Sequence, residues 1–555
     1  MVPLGTLWRT VRHLKARQVF GRAVFRLARP RANVGPPPAL GSISQGAWVT
    51  PARRSPSLVA PTRWKLLNHE GELAETGWDN PGIEKLWRYN QHYFDDLNAT
   101  GAPSRGAWHK NLVTQWVAGN PPGQGTGWEP YPTSLRIVNW VKWWLAAGEL
   151  EPAAVHSLAV QARWLRQRLE WHLLGNHLFA NAKALVFAGL FFSGEEADGW
   201  LACGLKILTA ELPEQVLADG GHFERSPMYH ALALEDVLDL LNLARAASPG
   251  HPLADRVARV CEPHAPRMLH WLRCMCHPDG DISFFNDATL GIAPPNAELE
   301  RYAAALGVTA GPPATSGVQA LAASGYARAS FGPMVALLDV APVGPDYLPG
   351  HAHADTLSFE LSLHGHRVVV NGGTSRYGMG AERLRERGTA AHSTVVVAET
   401  DSSEMWSGFR VGRRARPFDV AFHADSVQAA HDGYGWMPGR PMHLRSWKFR
   451  NHSLVVEDKV EGGKHDAVAH YHLAPGLELQ SVGNATWRVM RDGAEVAQVT
   501  ALAGRGELQR SQFAPAFGVV VPTQMLAVHL VGGAAATRWA WNESEHSFSE
   551  RQLSA

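Results

Sequence analysis

Between Val308 and Gly317 the run Val-Thr-Ala-Gly-Pro-Pro-Ala-Thr-Ser-Gly separates two hydrophobic periods that cannot belong to one kind of element. Before it, apolar residues recur at helical spacing: Leu135, Val138, Val141 and Leu145; Leu158, Ala162, Leu165 and Leu169; Leu178, Leu185, Val186 and Leu190; Leu232, Val237, Leu240 and Leu241. Turns at Gly148, Gly175, Gly194, Pro213, Pro227 and Pro249 separate these helices. Helices joined by short links build a bundle, a solenoid or a closed (α/α) toroid, and periodicity does not choose among them. After the linker the period falls to two. Leu357, Phe359, Leu361 and Leu363 alternate with Ser358, Glu360, Ser362 and His364, and Gly365 turns the chain into Arg367-Val368-Val369-Val370, a hairpin expected to have one polar face. Further strand-like runs span 393–397, 453–460, 467–472, 496–501 and 518–521, which predicts an antiparallel β-sandwich. The 555 residues exceed the size of one core, so the division expected is a basic N-terminal extension over 1–76, a helical domain over 77–310 and a β domain over 311–555.

The extension has no acidic residue through Thr50, but carries Arg9, Arg12, Lys15, Arg17, Arg22, Arg26, Arg29 and Arg31. These cations interrupt every apolar core that a cleavable signal peptide would need. Leu4, Leu7, Trp8, Val11 and Leu14 share a helical face. Such a stripe is first a packing signal, which favours a helix docked on the body with its basic face in water. The other reading is peripheral contact with an anionic membrane. Pro36-Pro37-Pro38 ends this segment, and the chain to Thr76 reads as irregular with a short hairpin. No apolar run approaches a bilayer span of about 20 residues. A net charge of +1 gives no global attraction to nucleic acid. Cys203, Cys261, Cys274 and Cys276 are too few for a disulfide framework, and Cys274-Met275-Cys276-His277 lacks the second pair that a metal site would need.

The 21 Trp and 27 His are residue types that polar ligand clefts use. In Trp128-Glu129-Pro130-Tyr131, a helix is expected to begin near Thr133 or Ser134, so that Arg136 and Asn139 share a face suited to an anionic sugar. Asn176, after Gly175, reads either as a helix N-cap or as a site residue, followed by His177 in the first turn. Ser226 and Pro227 predict an N-cap and first helical residue, placing Tyr229 where the helix dipole would favour a phenolate. Downstream, His351 and His353 lie two apart in Gly350-His351-Ala352-His353-Ala354-Asp355, with Asn371 and His392 nearby. In extended chain the two imidazoles point to one side, one toward a metal and the other toward substrate. Thr374, Arg376, Tyr377, Arg383, Arg385, Arg387, Glu404 and Arg410 are too polar a group for an ordinary sandwich core.

Taken in order, Trp128-Glu129-Pro130-Tyr131, Asn176-His177-Leu178, Asp219-Gly220-Gly221 to Tyr229-His230, Pro278-Asp279-Gly280 to Phe285-Asn286-Asp287, Gly350 to Asp355, Thr389 to His392-Ser393-Thr394, and His431-Asp432-Gly433-Tyr434 resemble the heparinase II/III family of polysaccharide lyases. Tyr93-Phe94-Asp95-Asp96-Leu97 with the basic extension resembles members associated with bacterial exopolysaccharide or surface-polysaccharide assembly. The resemblance implies an N-terminal (α/α) toroid followed by a C-terminal antiparallel β-sandwich, a place in the periplasm or cell envelope, and β-elimination at a uronic acid. It implies that Asn176 and His351 hold the substrate carboxylate, that Tyr229 protonates the leaving oxygen, and that Tyr229 or His177 is the base. Trp128, Glu129, Arg136, Asn139, Tyr377 and Arg387 are the expected contacts to an acidic polysaccharide. The mechanism requires no cofactor. Family members with zinc hold it at positions matching His353, Asn371 and His392, and here Asn371 replaces the expected Asp. Two other readings are open: an inverting glycoside hydrolase using carboxylates among Asp219, Glu224, Glu235 and Asp236, and a non-catalytic polysaccharide-binding or assembly factor.

Overall fold

The computed structural model describes residues 2–147 and 149–542; the turn expected at Gly148 and the end of the β domain beyond residue 542 lie outside the described residues. The helical half runs from Lys85–Tyr93 to Asn296–Ala305, and the first strand after it is Gly317–Leu321. The boundary therefore falls in the Gly/Pro linker.

Local sequence explains several joints. Ser226 caps Pro227–Ala246 by accepting the Tyr229 amide N–H at 3.1 Å, as expected. Helices Gly175–Phe191 and Glu195–Gln215 pack closely through glycine: a Cβ on Gly204 would lie 2.6 Å from the Ala182 carbonyl oxygen. Pro213 does not break the second of these helices, because it sits in the last turn, where little of the ladder remains to be lost. The helix expected to start at Thr133 or Ser134 starts at Pro130, whose fixed φ suits a first turn, and runs to Ala147. Thr133 and Ser134 are buried within that turn.

The β half is a sandwich of two antiparallel sheets. One has nine strands and contains Tyr326–Phe331, Met334–Asp339, Phe359–Leu363, His366–Val370, Ala467–Leu473 and Val519–His529. The other has eight and contains Met442–Arg450, Ser453–Glu461, Ala494–Ala503 and Ala534–Ala540. The Phe359–Leu363 strand has the expected polar face, but both of its faces are buried. Its polar face meets the helical half instead: Glu360 accepts from His277 Nε2 at 2.7 Å and the Asn371 amide at 2.9 Å, and Ser362 bonds His277 Nδ1 at 2.7 Å. Asp219 ties the halves together by accepting the Ser324 amide at 2.7 Å and its hydroxyl at 2.9 Å. One apolar core runs through both halves.

Residues 2–76 include the helix expected at the N-terminal stripe, and more strand than the short hairpin expected between Pro38 and Thr76. They hold helices Leu4–Val11 and Ala16–Leu27 and a three-stranded sheet of Leu58–Ala60, Arg63–Leu66 and His69–Glu72. Both helices dock on the body, but by their polar sides. Thr6 and Arg9 bond Glu404, the Trp406 indole donates to Thr10 at 3.0 Å, and Lys15 pairs with Glu214. The apolar stripe faces solvent, the reverse of the expected packing.

Candidate active site

A cleft of about 1040 Å³ opens between the two halves and the N-terminal helices, lined by Asn176, His177, Glu224, Tyr229, His351 and Tyr377 among others. The helical half contributes its side through two helix starts. At the first, Leu174 (φ 63°) and Gly175 (φ 52°) turn the chain left-handed into the helix, so Leu174 is the cap residue and Asn176 lies inside the first turn, with its side chain on the cleft. The N-cap reading of Asn176 is thus corrected. Gly175 has a second reason to be glycine: a Cβ there would lie 2.8 Å from Glu224 Oε1. Glu224 is buried against this helix start, and among the described residues neither of its oxygens has a side-chain partner within hydrogen-bonding distance. Burial raises its pKa above the ordinary carboxylate range, against the opposing pull of His351 and the Asn176 backbone.

His177 donates from Nδ1 to Glu170 at 3.1 Å and stacks on Tyr131, ring centroids 4.6 Å apart. Burial alone would lower its pKa, but Glu170 outweighs it and the net shift is upward, favouring imidazolium.

At the second helix start, Tyr229 points into the cleft. Its hydroxyl lies 3.0 Å from that of Tyr377, and its ring packs on that of His351, tilted by 31° with centroids 3.9 Å apart. The dipole argument for a phenolate fails. Burial, followed by the neighbouring Tyr377, raises the Tyr229 pKa well above its ordinary value, so the resting group is a neutral phenol.

His351 and His353 do converge, though in a loop rather than a strand. Both donate to Asp287, His351 from Nδ1 at 2.9 Å and His353 from Nε2 at 2.8 Å, and Arg383 grips the same carboxylate. Burial opposes the charge on Asp287, but Arg383 and the two histidines hold its pKa well below the ordinary range. With Nδ1 committed to Asp287, Nε2 is the His351 nitrogen left to the cleft, 3.7 Å from Glu224.

The expected substrate contacts divide. Tyr377 lines the cleft. Asn139 lines it too, but its amide is spent on the Tyr93 carbonyl at 2.9 Å and Asp95 at 2.7 Å. Trp128 is a core residue, its indole donating to the Asn120 carbonyl at 3.1 Å. Arg136 is fully buried, 3.8 Å over the Trp116 ring and bonded to Gln161 at 3.0 Å, so its guanidinium does not reach the cleft that Asn139 lines. Glu129 pairs with Lys85 at 2.9 Å and with the Tyr89 hydroxyl. Arg387 is buried behind the loop, donating to the Ala352 carbonyl at 2.8 Å, and so positions His351 and His353 without reaching the cleft.

His353 Nδ1 and His392 Nε2 face each other at 3.1 Å behind the cleft. The Asn371 oxygen accepts the Ser393 amide at 3.0 Å, and its buried nitrogen has no partner among the described residues. Two imidazoles and a neutral, already engaged amide fall short of the four donors of a closed zinc site. Among the described residues no group of three or more His, Cys, Asp or Glu is arranged to hold a metal. The zinc set does not fit.

Glu170, Tyr131 and Asp287 are site residues to which the sequence assigned no role, and Arg383 stood there only as one of a polar group. Tyr131 stood inside a quoted motif; Glu170 had no signal, because its relation to His177 depends on how the chain turns at Leu174.

A helical domain and a β-sandwich enclosing a cleft of Asn, His and Tyr side chains define a toroid–sandwich protein of the polysaccharide-lyase type of fold. Residues 107–303 match the family described as Heparinase II/III N-terminus, and residues 313–542 match Heparinase II/III-like, C-terminal. The chain belongs to the heparinase II/III-like family. Among its relatives are FtsZ-localized protein C of Caulobacter vibrioides, 30% identical over 52% of this chain and 47% of that protein, and a heparin-sulfate lyase of Pedobacter heparinus, 26% identical over 58% and 50%. The match thus spans about half the length of these relatives. The solved structure of heparinase III superposes with a TM-score of 0.64 at 17% identity, covering 85% of this chain and 80% of that one. Heparan sulfate lyase HepC from Pedobacter heparinus gives 0.56 at 17% identity, covering 95% and 88%. These likenesses establish the (α/α) toroid and β-sandwich.

Proposed function

We propose that this protein is a polysaccharide lyase that cleaves a uronic-acid-containing polysaccharide, of bacterial exopolysaccharide or glycosaminoglycan type, by β-elimination. The observation that carries the reading is the convergence on one cleft of a neutral phenol, a histidine with a free ring nitrogen, and an amide beside an imidazole whose pKa Glu170 raises. The relatives named heparin-sulfate lyase support the class of reaction and an acidic substrate.

The roles follow from protonation. C5–H of a uronate is a weak acid, and the adjacent carboxylate makes it weaker until its charge is offset. Asn176 and His177 offset it: the amide donates a hydrogen bond, and His177, held toward imidazolium by Glu170, supplies charge. An imidazole that Glu170 pulls toward its protonated form is the weaker base, and a phenol with a raised pKa is an acid at rest. His351, through Nε2, is therefore the better-placed base, a different assignment from the one that resemblance implied. It takes the C5 proton, the C4–O bond breaks as C4=C5 forms, and Tyr229 delivers its proton to the departing oxygen. After product leaves, His351 gives its proton to solvent and the Tyr229 phenolate takes one back.

The hydrolase reading needs two carboxylates facing one bond. Asp219 is spent on Ser324, Glu235 on Arg54 and Lys142, and Asp236 on Lys183, which leaves Glu224 alone. The non-catalytic reading draws support from the Caulobacter relative, whose name is not that of a lyase. Incubating the protein with a panel of uronate polysaccharides and recording ultraviolet absorbance of the unsaturated product tests all three. A lyase generates the absorbance, a hydrolase generates reducing ends without it, and a binding factor retains glycan unchanged.

A further inference from the structure

Helices Leu4–Val11 and Ala16–Leu27 are mounted with their apolar stripes outward. Leu4 is 84% exposed, Trp8 65%, Phe20 72% and Leu27 80%, and Leu7, Val11, Val19 and Val24 continue the two stripes. These spacings would ordinarily face a core. Here the polar sides are the ones held: Gln18 donates to the Tyr347 carbonyl at 3.2 Å, and Gly21 packs so closely on Trp171 and His172 that a Cβ would lie 3.1 Å from their backbone. Phe25 is clamped between His172, centroids 4.2 Å apart, and Arg168, 3.6 Å over its ring. The outward orientation is therefore fixed by specific contacts.

Charge identifies what covers the stripes. No Asp or Glu occurs before Glu70. The carboxylates that neutralise Arg9, Lys15 and Arg17 are Glu404, Glu211 and Glu214, all on the body. Arg12, Arg26, Arg29 and Arg31 are exposed at the rim and enter no ion pair among the described residues. A second copy seated on this face would bring the same uncompensated cations together. An apolar centre containing Trp and Phe, bounded by arginines and lacking acid, complements a lipid surface with anionic headgroups: the stripe enters the acyl boundary while the guanidinium groups meet phosphate.

We propose that the two N-terminal helices form an in-plane anchor for an anionic bilayer. The inner sides of the same helices contribute Thr10, Leu14, Gln18 and Arg22 to the cleft wall, so the anchor sets the cleft beside the membrane. This inference does not depend on the chemistry performed in the cleft.

Co-sedimentation of the full chain with phosphatidylethanolamine vesicles containing phosphatidylglycerol, against pure phosphatidylcholine vesicles, tests it. The anionic vesicles are expected to bind at least about tenfold more tightly, with the difference shrinking in about 0.5 M salt. Trp8→Glu with Phe20→Glu should cut binding by at least about tenfold while preserving the melting temperature, since both side chains are exposed. Should that pair disturb folding, Leu4→Gln with Leu27→Gln serves the same purpose. No sedimentation with anionic vesicles, or equal sedimentation of folded variants, overturns the proposal. So does a parent dimer that the variants convert to monomer, which would assign the face to a second copy.

Discussion

Tyr229 of the helical half packs against His351 of the β half with ring centroids 3.9 Å apart, so the proposed acid and base meet only when the two halves are assembled. The two also differ in support. Tyr229 begins a capped helix, whereas His351 is held in a loop by Asp287, itself pinned by Arg383.

Replacing Tyr229 by Phe removes the proton for the leaving oxygen while preserving the ring that packs on His351. The expected loss in kcat is about 10³-fold or more, read from ultraviolet product formation, with an unchanged circular dichroism spectrum. Tyr377→Phe removes only the partner of the Tyr229 hydroxyl and should cost roughly tenfold. Comparable losses in both variants would mean that Tyr377 reacts directly.

The Glu170–His177 pair sets an alkaline limit. Because the folded pKa of His177 is raised, its cationic form contributes both stability and carboxylate binding at low pH, and both are lost as pH rises through that value. Glu170→Gln removes the cause and should move the alkaline limb of kcat/KM to lower pH. An unmoved limb would exclude His177 as the group titrating there.

Glu224 combines a raised pKa with a place beside Asn176 and His351. Burial favours the neutral acid, so its contribution to stability is present at low pH and is lost as pH rises through the raised value. Glu224→Gln should retain most activity and melt at a higher temperature than the parent at alkaline pH. Glu224→Ala opens a polar gap at the helix start and should lose roughly tenfold in kcat/KM. Inactivity of the Gln variant would show that the ionised carboxylate is needed.

Zinc content tests the donor set behind the cleft. The parent is expected to purify without stoichiometric zinc, and Asn371→Asp, by restoring a carboxylate next to His353 and His392, should raise both bound zinc and melting temperature in its presence. Elemental analysis of both proteins reads the outcome directly.

The divide between halves was legible because a change of hydrophobic period is a local signal. Ser226, Pro227 and the helices around them were readable for the same reason: caps and stripes involve neighbours along the chain. Arg136 shows where this stops. Its spacing from Asn139 suggested a shared binding face, yet the guanidinium turns inward onto Trp116, because a stripe rich in Trp leaves room for a buried cation over an indole. Glu129 and Arg387 were likewise taken up by partners distant in sequence, and Trp128 by the core.

Taken alone, the sequence determined the two classes of element, their order, and the residues at the two helix starts and in the His-rich loop that the cleft brings together. Tertiary structure decided what each of those residues can do. Protonation depends on burial and on charges brought from elsewhere in the chain, so a helix-start tyrosine expected to favour phenolate became a buried neutral phenol, and a first-turn histidine had its pKa raised by Glu170. Tertiary structure also turned the N-terminal stripe outward. A helix presents the same stripe whichever way it is mounted, and only contacts such as Arg9 with Glu404, far apart in the chain, choose the side that faces the protein.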